Sequence, residues 1–228
     1  MKNNERVIYG ITITIVIFLI ANIIGSKVHL GINFIAPSFV THTIMLMLSI
    51  FAIILLKNKL TYRISLPKFK TILKPIVIAV VLTIAINLIM TVVTKLAGGK
   101  VEVHPLFSKM NPLQVFLFVF IYASIAEEML FRGFLLNFLK PLKQKGIPLF
   151  NRIISLSAII SAIMFGLAHL VLIRTGVSPL FLFRVVVFAT CLGLLAGYYQ
   201  EKYDNNSYAI IVHMAGNSLA VIAAFSMS

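Results

Sequence analysis

The chain has 228 residues, of which 60% are hydrophobic and 11% charged, and its mean hydropathy is +1.04. A soluble domain carries roughly 25% charged residues, so a soluble globular fold is excluded, and apolar runs that are continuous rather than alternating exclude a membrane β-barrel. The net charge of +14 reads as basic loops held against an anionic inner leaflet, with no nucleic-acid partner.

Apolar runs recur along the whole length, which predicts an all-α, polytopic membrane helical bundle. The amino terminus carries Lys2 and Arg6 ahead of an apolar run that ends at Ile24. That run is long for a signal-peptide core and lacks a clear small-x-small cleavage site, so a retained first helix is expected. Seven spans are predicted, at 7–24, 39–56, 75–94, 113–139, 153–172, 181–199 and 208–225, with an eighth span, or a re-entrant sixth segment, as the alternatives. They form a single membrane domain over 1–228, with a chemical core over 110–225. Loop 57–74 interleaves Leu and Ile with Lys57, Lys59, Arg63, Lys68, Lys70 and Lys74. It reads as a topology determinant on the inner leaflet, with a docking surface for an acidic partner as the lesser reading.

Of 20 Lys and Arg residues, thirteen lie in the amino terminus and the second, fourth and sixth loops, and five in the other loops. Arg132 and Arg184 fall inside spans. This asymmetry puts the amino terminus in the cytoplasm and the carboxyl terminus outside. The richness in Ile, Lys and Asn is common in AT-rich bacterial genomes, which points to a bacterial cytoplasmic membrane. The single cysteine, Cys191, lies in an apolar run and permits neither an intrachain disulfide nor a cysteine metal cluster. It reads as a small buried apolar residue.

The fourth span contains Glu127, Glu128 and Arg132. Each charge at mid-bilayer costs roughly 2.5–3.5 kcal/mol, so this group marks a site. Glu128 and Arg132 are four apart with the acid first, the favourable helical ion-pair orientation. Glu127 points elsewhere on the helix and is left free to exchange a proton, as a general base requires. The fifth span carries Phe165-Gly-Leu-Ala-His169, and the seventh carries His213-Met-Ala-Gly-Asn217, with His213 and Asn217 on one face. Each of these helices, taken alone, also fits polar packing between helices. Together they supply a base, orienting groups and oxyanion donors, the parts for hydrolysis by activated water. Ser124, one turn before the acids, has no obvious partner base. No internal repeat is visible, and intramembrane charges lie in the second half alone, which argues against an inverted-repeat transporter.

Glu127-Glu128-x-x-x-Arg132, Phe165-x-x-x-His169 and His213-x-x-x-Asn217, in this order on successive polar helices, resemble the three motifs of the CAAX-protease and bacteriocin-processing family of intramembrane glutamic endopeptidases. Gly193-x-x-x-Gly197 followed by Tyr198 is similar to the family's small-residue helix before the last motif. The resemblance covers about 110–225. It implies that Glu127 and His169 activate water, that His213 and Asn217 hold the oxyanion, and that Glu128 and Arg132 orient the site. It implies no cofactor. Glu127, His169 and His213 are nonetheless a donor set that suits zinc, although a His-Glu-x-x-His motif is absent. The implied partners are the bilayer and a membrane-bound peptide or protein substrate, in peptide pheromone or bacteriocin maturation or immunity. A transporter or proton relay, and a non-catalytic adaptor or immunity protein of the same fold, are the alternatives. At 1.5 Å per residue, the predicted spans separate Glu127, His169 and His213 by on the order of 15 Å in depth, so tilts or shifted ends must close the gap.

Overall fold

A computed structural model describes residues 1–105, 109–149 and 152–226. Among the described residues there are six helices long and apolar enough to cross a membrane, and one shorter apolar helix. In chain order these are α1 (Asn3–Lys27), α2 (Phe39–Leu55), α3 (Phe69–Leu96), α4 (Pro112–Leu136), α5 (Leu156–Thr175), α6 (Pro179–Tyr203) and α7 (Asn206–Ser226). The short one is α2. The chain is a polytopic helical bundle.

Helix ends follow local chemistry. Pro112 occupies the first turn of α4, and Asn111 and Gln114 cap it reciprocally, with Gln114 N donating to Asn111 Oδ1 at 2.9 Å and Asn111 N donating to Gln114 Oε1 at 2.8 Å. Ser155 caps α5 by accepting from the Ala158 amide at 3.0 Å. Gly176, at φ +75°, ends α5, and Ser178-Pro179 starts α6. Two of the boundaries that differ from the expected spans have a local cause. α3 begins at Phe69, not 75, because Pro75 sits inside the helix near its start, where few backbone bonds are lost. The expected fifth span from 153 begins instead at Leu156. Arg152–Ser155 (β2) pairs antiparallel with Gly146–Leu149 (β1), with Ile147 opposite Ile154. The β-branched residues there favour extended backbone.

α4 is the centre of the bundle. Its second half is buried on all sides, including Leu130, Phe131, Phe134 and Leu135. α1, α2, α5, α6 and α7 pack around it. α1 to α3 instead expose apolar side chains such as Leu19, Phe51 and Leu88, the surface a lipid-facing helix presents. α4 is not a regular α-helix. Val115–Ala123 and Met129–Leu136 are π-helical, and a five-residue α-helical segment, Ser124–Glu128, lies between them. π segments are rare and concentrate at functional sites. The two glutamates sit on this intervening segment.

One end of the bundle is tied by polar contacts. Asp204, which closes α6 in a left-handed conformation, accepts from Lys140 Nζ at 2.7 Å and lies 3.5 Å from Arg63 Nη1. The Lys140 hydrogen bond, together with the nearby charges of Lys140, Arg63 and Lys143, holds its carboxyl below the usual range against a smaller opposing effect of burial. Asn205 bonds the backbone of Ser65, and the Asn206 amide donates to the Arg63 carbonyl at 2.9 Å. These contacts join the loops after α2 and α4 to the α6–α7 turn. Cys191 is half-buried and free, so it is less enclosed than expected.

Candidate active site

The deepest element is a three-member ionic cluster. Glu128 and Arg132 are fully buried, and Arg132 Nη1 donates to Glu128 Oε1 at 2.9 Å. The same oxygen accepts from His213 Nδ1 at 2.9 Å. Arg132 also lies over the Phe165 ring, 4.6 Å from its centroid, a cation–π contact made in a dry site. Gln200 Nε2 donates to the Arg132 carbonyl at 2.9 Å. α6 comes this close because Gly193 has no Cβ; one built there would collide with Arg132 Nη2 and press on Ala162. Glu128 Oε2 and Arg132 Nε and Nη2 are buried without a protein partner among the described residues. A buried pair of this kind contributes little net stability. What it fixes is orientation: a carboxylate accepting from Nδ1 makes Nδ1 the protonated nitrogen of His213 and turns Nε2 toward the cavity.

Glu127, the next residue, turns away from Arg132. Its Oε2 lies 3.8 Å from His213 Nε2, and its Oε1 lies 3.2 Å from His42 Nε2 on α2. The expected separation of the two acids therefore appears in the geometry, with one correction. Glu127 is not left without partners, because two imidazoles flank it. His42 did not figure in the sequence reading, which placed all intramembrane polar chemistry in the second half of the chain. The available signal was that His42 is the sole ionisable residue within Phe39–Leu55. His169 is likewise the sole ionisable residue in 153–172, and there the motifs on the neighbouring helices supply a second signal that His42 lacks.

His169 stands where the α-helix of α5 gives way to a 3-10 turn. Its Nδ1 donates to the Phe165 carbonyl at 3.0 Å, which leaves the Nε2 lone pair for a ligand. Phe165 packs edge-on against both His169 and His213, at centroid distances of 5.1 and 5.3 Å. Asn217 Nδ2 donates to Ser124 Oγ at 3.3 Å, which gives Ser124 a role as acceptor. Glu127, His42, His169, His213 and Asn217 all line one cavity of about 860 Å³. The expected depth spread is thus closed. α5 turns to 3-10 geometry at His169, and α7 starts at Asn206, so the assumed helix ends were offset.

Part of the cavity wall comes from the loop between α3 and α4, at Val101, Glu102, Val103 and His104. His104 packs edge-on against Phe181 at 5.9 Å and lines the cavity. Burial, aided by the charges of His169 and Arg184 and opposed by Glu127, pushes His104 down to about 4, so it is neutral at neutral pH. Arg184 Nη2 donates to the Glu102 carbonyl at 2.6 Å and secures this loop to α6.

All six residues singled out from the motifs, Glu127, Glu128, Arg132, His169, His213 and Asn217, come from α4, α5 and α7 and meet in this region. Glu127, Glu128, Arg132 and His213 form a continuous chain of contacts. His169 and Asn217 join them through the shared cavity. Among the described residues no group of three His, Cys, Asp or Glu side chains is arranged to hold a metal ion.

Residues 109–219 match the sequence model described as type II CAAX prenyl endopeptidase Rce1-like. Neither the curated proteins nor the solved structures yield a significant match. The match begins just before α4, ends within α7 and contains all six motif residues, while His42 lies outside it. Over residues 109–219, just under half of its length, the chain is thus similar to the Rce1-like type II CAAX prenyl endopeptidase family.

Proposed function

We propose that the protein is an intramembrane endopeptidase that hydrolyses a peptide bond in a membrane-associated peptide or protein, with water activated by Glu127 and His169. The observation that carries this reading is the convergence of Glu127, His169, His213 and Asn217 on one cavity inside a helical bundle. Water bound between Glu127 and the free Nε2 of His169 attacks the scissile carbonyl carbon, and its proton passes to the Glu127 carboxylate. The carbonyl oxygen becomes an oxyanion. Asn217 Nδ2 releases Ser124 and donates to it, and His213 donates from Nε2. Because His213 Nδ1 already donates to Glu128, that second donation requires a proton on both ring nitrogens. Collapse of the intermediate breaks the C–N bond, and Glu127 returns its proton to the leaving amine.

The test is turnover of an internally quenched peptide, prenylated on a cysteine four residues from its end, by purified protein in proteoliposomes. Asn217→Ala is expected to lower kcat about 10²–10³-fold, as loss of one oxyanion donor does, while leaving measurable cleavage. The same protein, treated with chelator and analysed for metals, is expected to stay active without stoichiometric zinc. Zinc whose removal abolishes cleavage, and whose return restores it, would replace the water-activating pair with a metal. Wild-type turnover in Asn217→Ala would remove the oxyanion role.

The seven helices and the basic asymmetry of the loops favour a cytoplasmic amino terminus in a bacterial cytoplasmic membrane. Reporter fusions after Lys59 and Lys143 are expected to report cytoplasm, and fusions after Ser226 the outside. A cytoplasmic report at Ser226 would reverse the assignment for α7. For the substrate, peptide pheromone or bacteriocin maturation or immunity fits a bacterial membrane protease. A peptide-precursor gene beside this one would support that class.

A further inference from the structure

We propose that His42 is a positioning residue for the peptidase reaction, supplied by the amino-terminal helices from outside the family-like region, and that it holds Glu127 in the orientation that accepts the proton of water. The inference rests on the reading of Glu127 as the base. His42 Nε2 lies 3.2 Å from Glu127 Oε1, and the His42 side chain is 12% exposed. His42 Nδ1 is buried and has no partner among the described residues. A buried N–H without an acceptor is costly. The imidazole therefore places its proton on Nε2, where Glu127 accepts it, and keeps a bare lone pair at Nδ1. Oε1 of Glu127 is thereby occupied. Oε2 faces His213 and the cavity and is the oxygen free to take a proton.

Contacts beside His42 fix α2 against α4. Thr43 Oγ1 and the Tyr122 hydroxyl are hydrogen-bonded at 2.7 Å. Phe39, one turn earlier, stacks on Tyr122 at 5.1 Å and meets Phe118 edge-on at 5.7 Å. On the other side, α1 approaches Thr41 at Gly25, where a Cβ would collide with the Thr41 side chain. The imidazole is thus delivered on a backbone held from two directions. That rigidity is what a group acting through a neighbouring base requires.

Two substitutions and a spectrum test the assignment. His42→Leu removes the donor at similar volume, and His42→Gln keeps an amide donor near the Nε2 position. With the prenylated quenched peptide in proteoliposomes, His42→Leu is expected to lower kcat about ten- to hundredfold, the effect of losing one hydrogen bond to a charged group, with KM and the melting temperature unchanged. His42→Gln is expected to recover most of that loss. A purely structural histidine would lower the melting temperature in both variants and show no recovery with Gln. Wild-type kcat in His42→Leu, alongside an inactive Glu127→Gln, would overturn this inference alone. An active Glu127→Gln would overturn the underlying reading as well. Independently of turnover, ¹⁵N-histidine spectra of the detergent-solubilised protein are expected to show His42 as the Nε2–H tautomer, with a resonance that moves in Glu127→Gln. An Nδ1–H tautomer, or a resonance that does not move, would overturn it.

Discussion

Replacing Glu127 by glutamine is expected to abolish peptide cleavage and leave the protein folded. Glutamine matches glutamate in shape, and its carbonyl oxygen still accepts a hydrogen bond, so the contact with His42 at Oε1 survives. What is lost is basicity at the position of Oε2, the oxygen turned to the cavity. General base catalysis contributes about 10²–10⁴ in rate. His169 alone would then have to take the proton, with no carboxylate beside it. The fold has little reason to respond. Glu127 lies outside the Glu128–Arg132 pair, and its side chain is 19% exposed toward the cavity. The measurement is turnover of the quenched peptide together with a thermal melt in the same detergent. Cleavage at the wild-type rate by a normally melting Glu127→Gln protein would remove the base from the mechanism. Loss of folded protein would show Glu127 to be structural.

The parts of this site that could be read from sequence are those set by helical periodicity. Glu128 and Arg132 are four apart, as are His213 and Asn217, and such pairs share a face in any regular helix. The recurring apolar runs likewise predict the bundle, because only helices satisfy their backbone within a single segment in lipid. What escaped was set by tertiary geometry. His42 reaches Glu127 across 85 residues, and nothing in its own helix announces the pairing. The π-helical stretches of α4 leave no signature in a run of Val, Phe, Leu and Ile. The hairpin before α5 was absorbed into the next span because Ile153 and Ile154 are as apolar as the helix that follows. Pro75 reads as a helix start but lies inside α3.

Arg132→Ala is expected to behave differently from Glu127→Gln, with loss of folded protein accompanying loss of activity. The guanidinium is fully buried, pairs with Glu128 and covers the Phe165 ring. Truncation leaves Glu128 buried with His213 as its remaining partner and opens a void between α4, α5 and α6. Removing one member of a buried pair costs about 3–5 kcal/mol, a large fraction of the roughly 5–15 kcal/mol that holds a typical domain together. Lysine would not substitute well, because a compact ammonium cannot lie flat on Phe165 while reaching Glu128. The readouts are abundance in the membrane, melting temperature and turnover. A normally abundant, normally melting Arg132→Ala protein would show that the pair does not stabilise the fold. A double replacement, Glu128→Leu with Arg132→Met, separates the two roles. Exchanging both charges for apolar groups of similar size is often neutral for stability, so the melting temperature is expected to recover toward wild type. Activity is not expected to recover, because His213 Nδ1 then has no carboxylate to donate to and the ring loses the contact that orients it. Recovery of both together would mean that Glu128 and Arg132 serve the fold alone and that His213 needs neither of them to act.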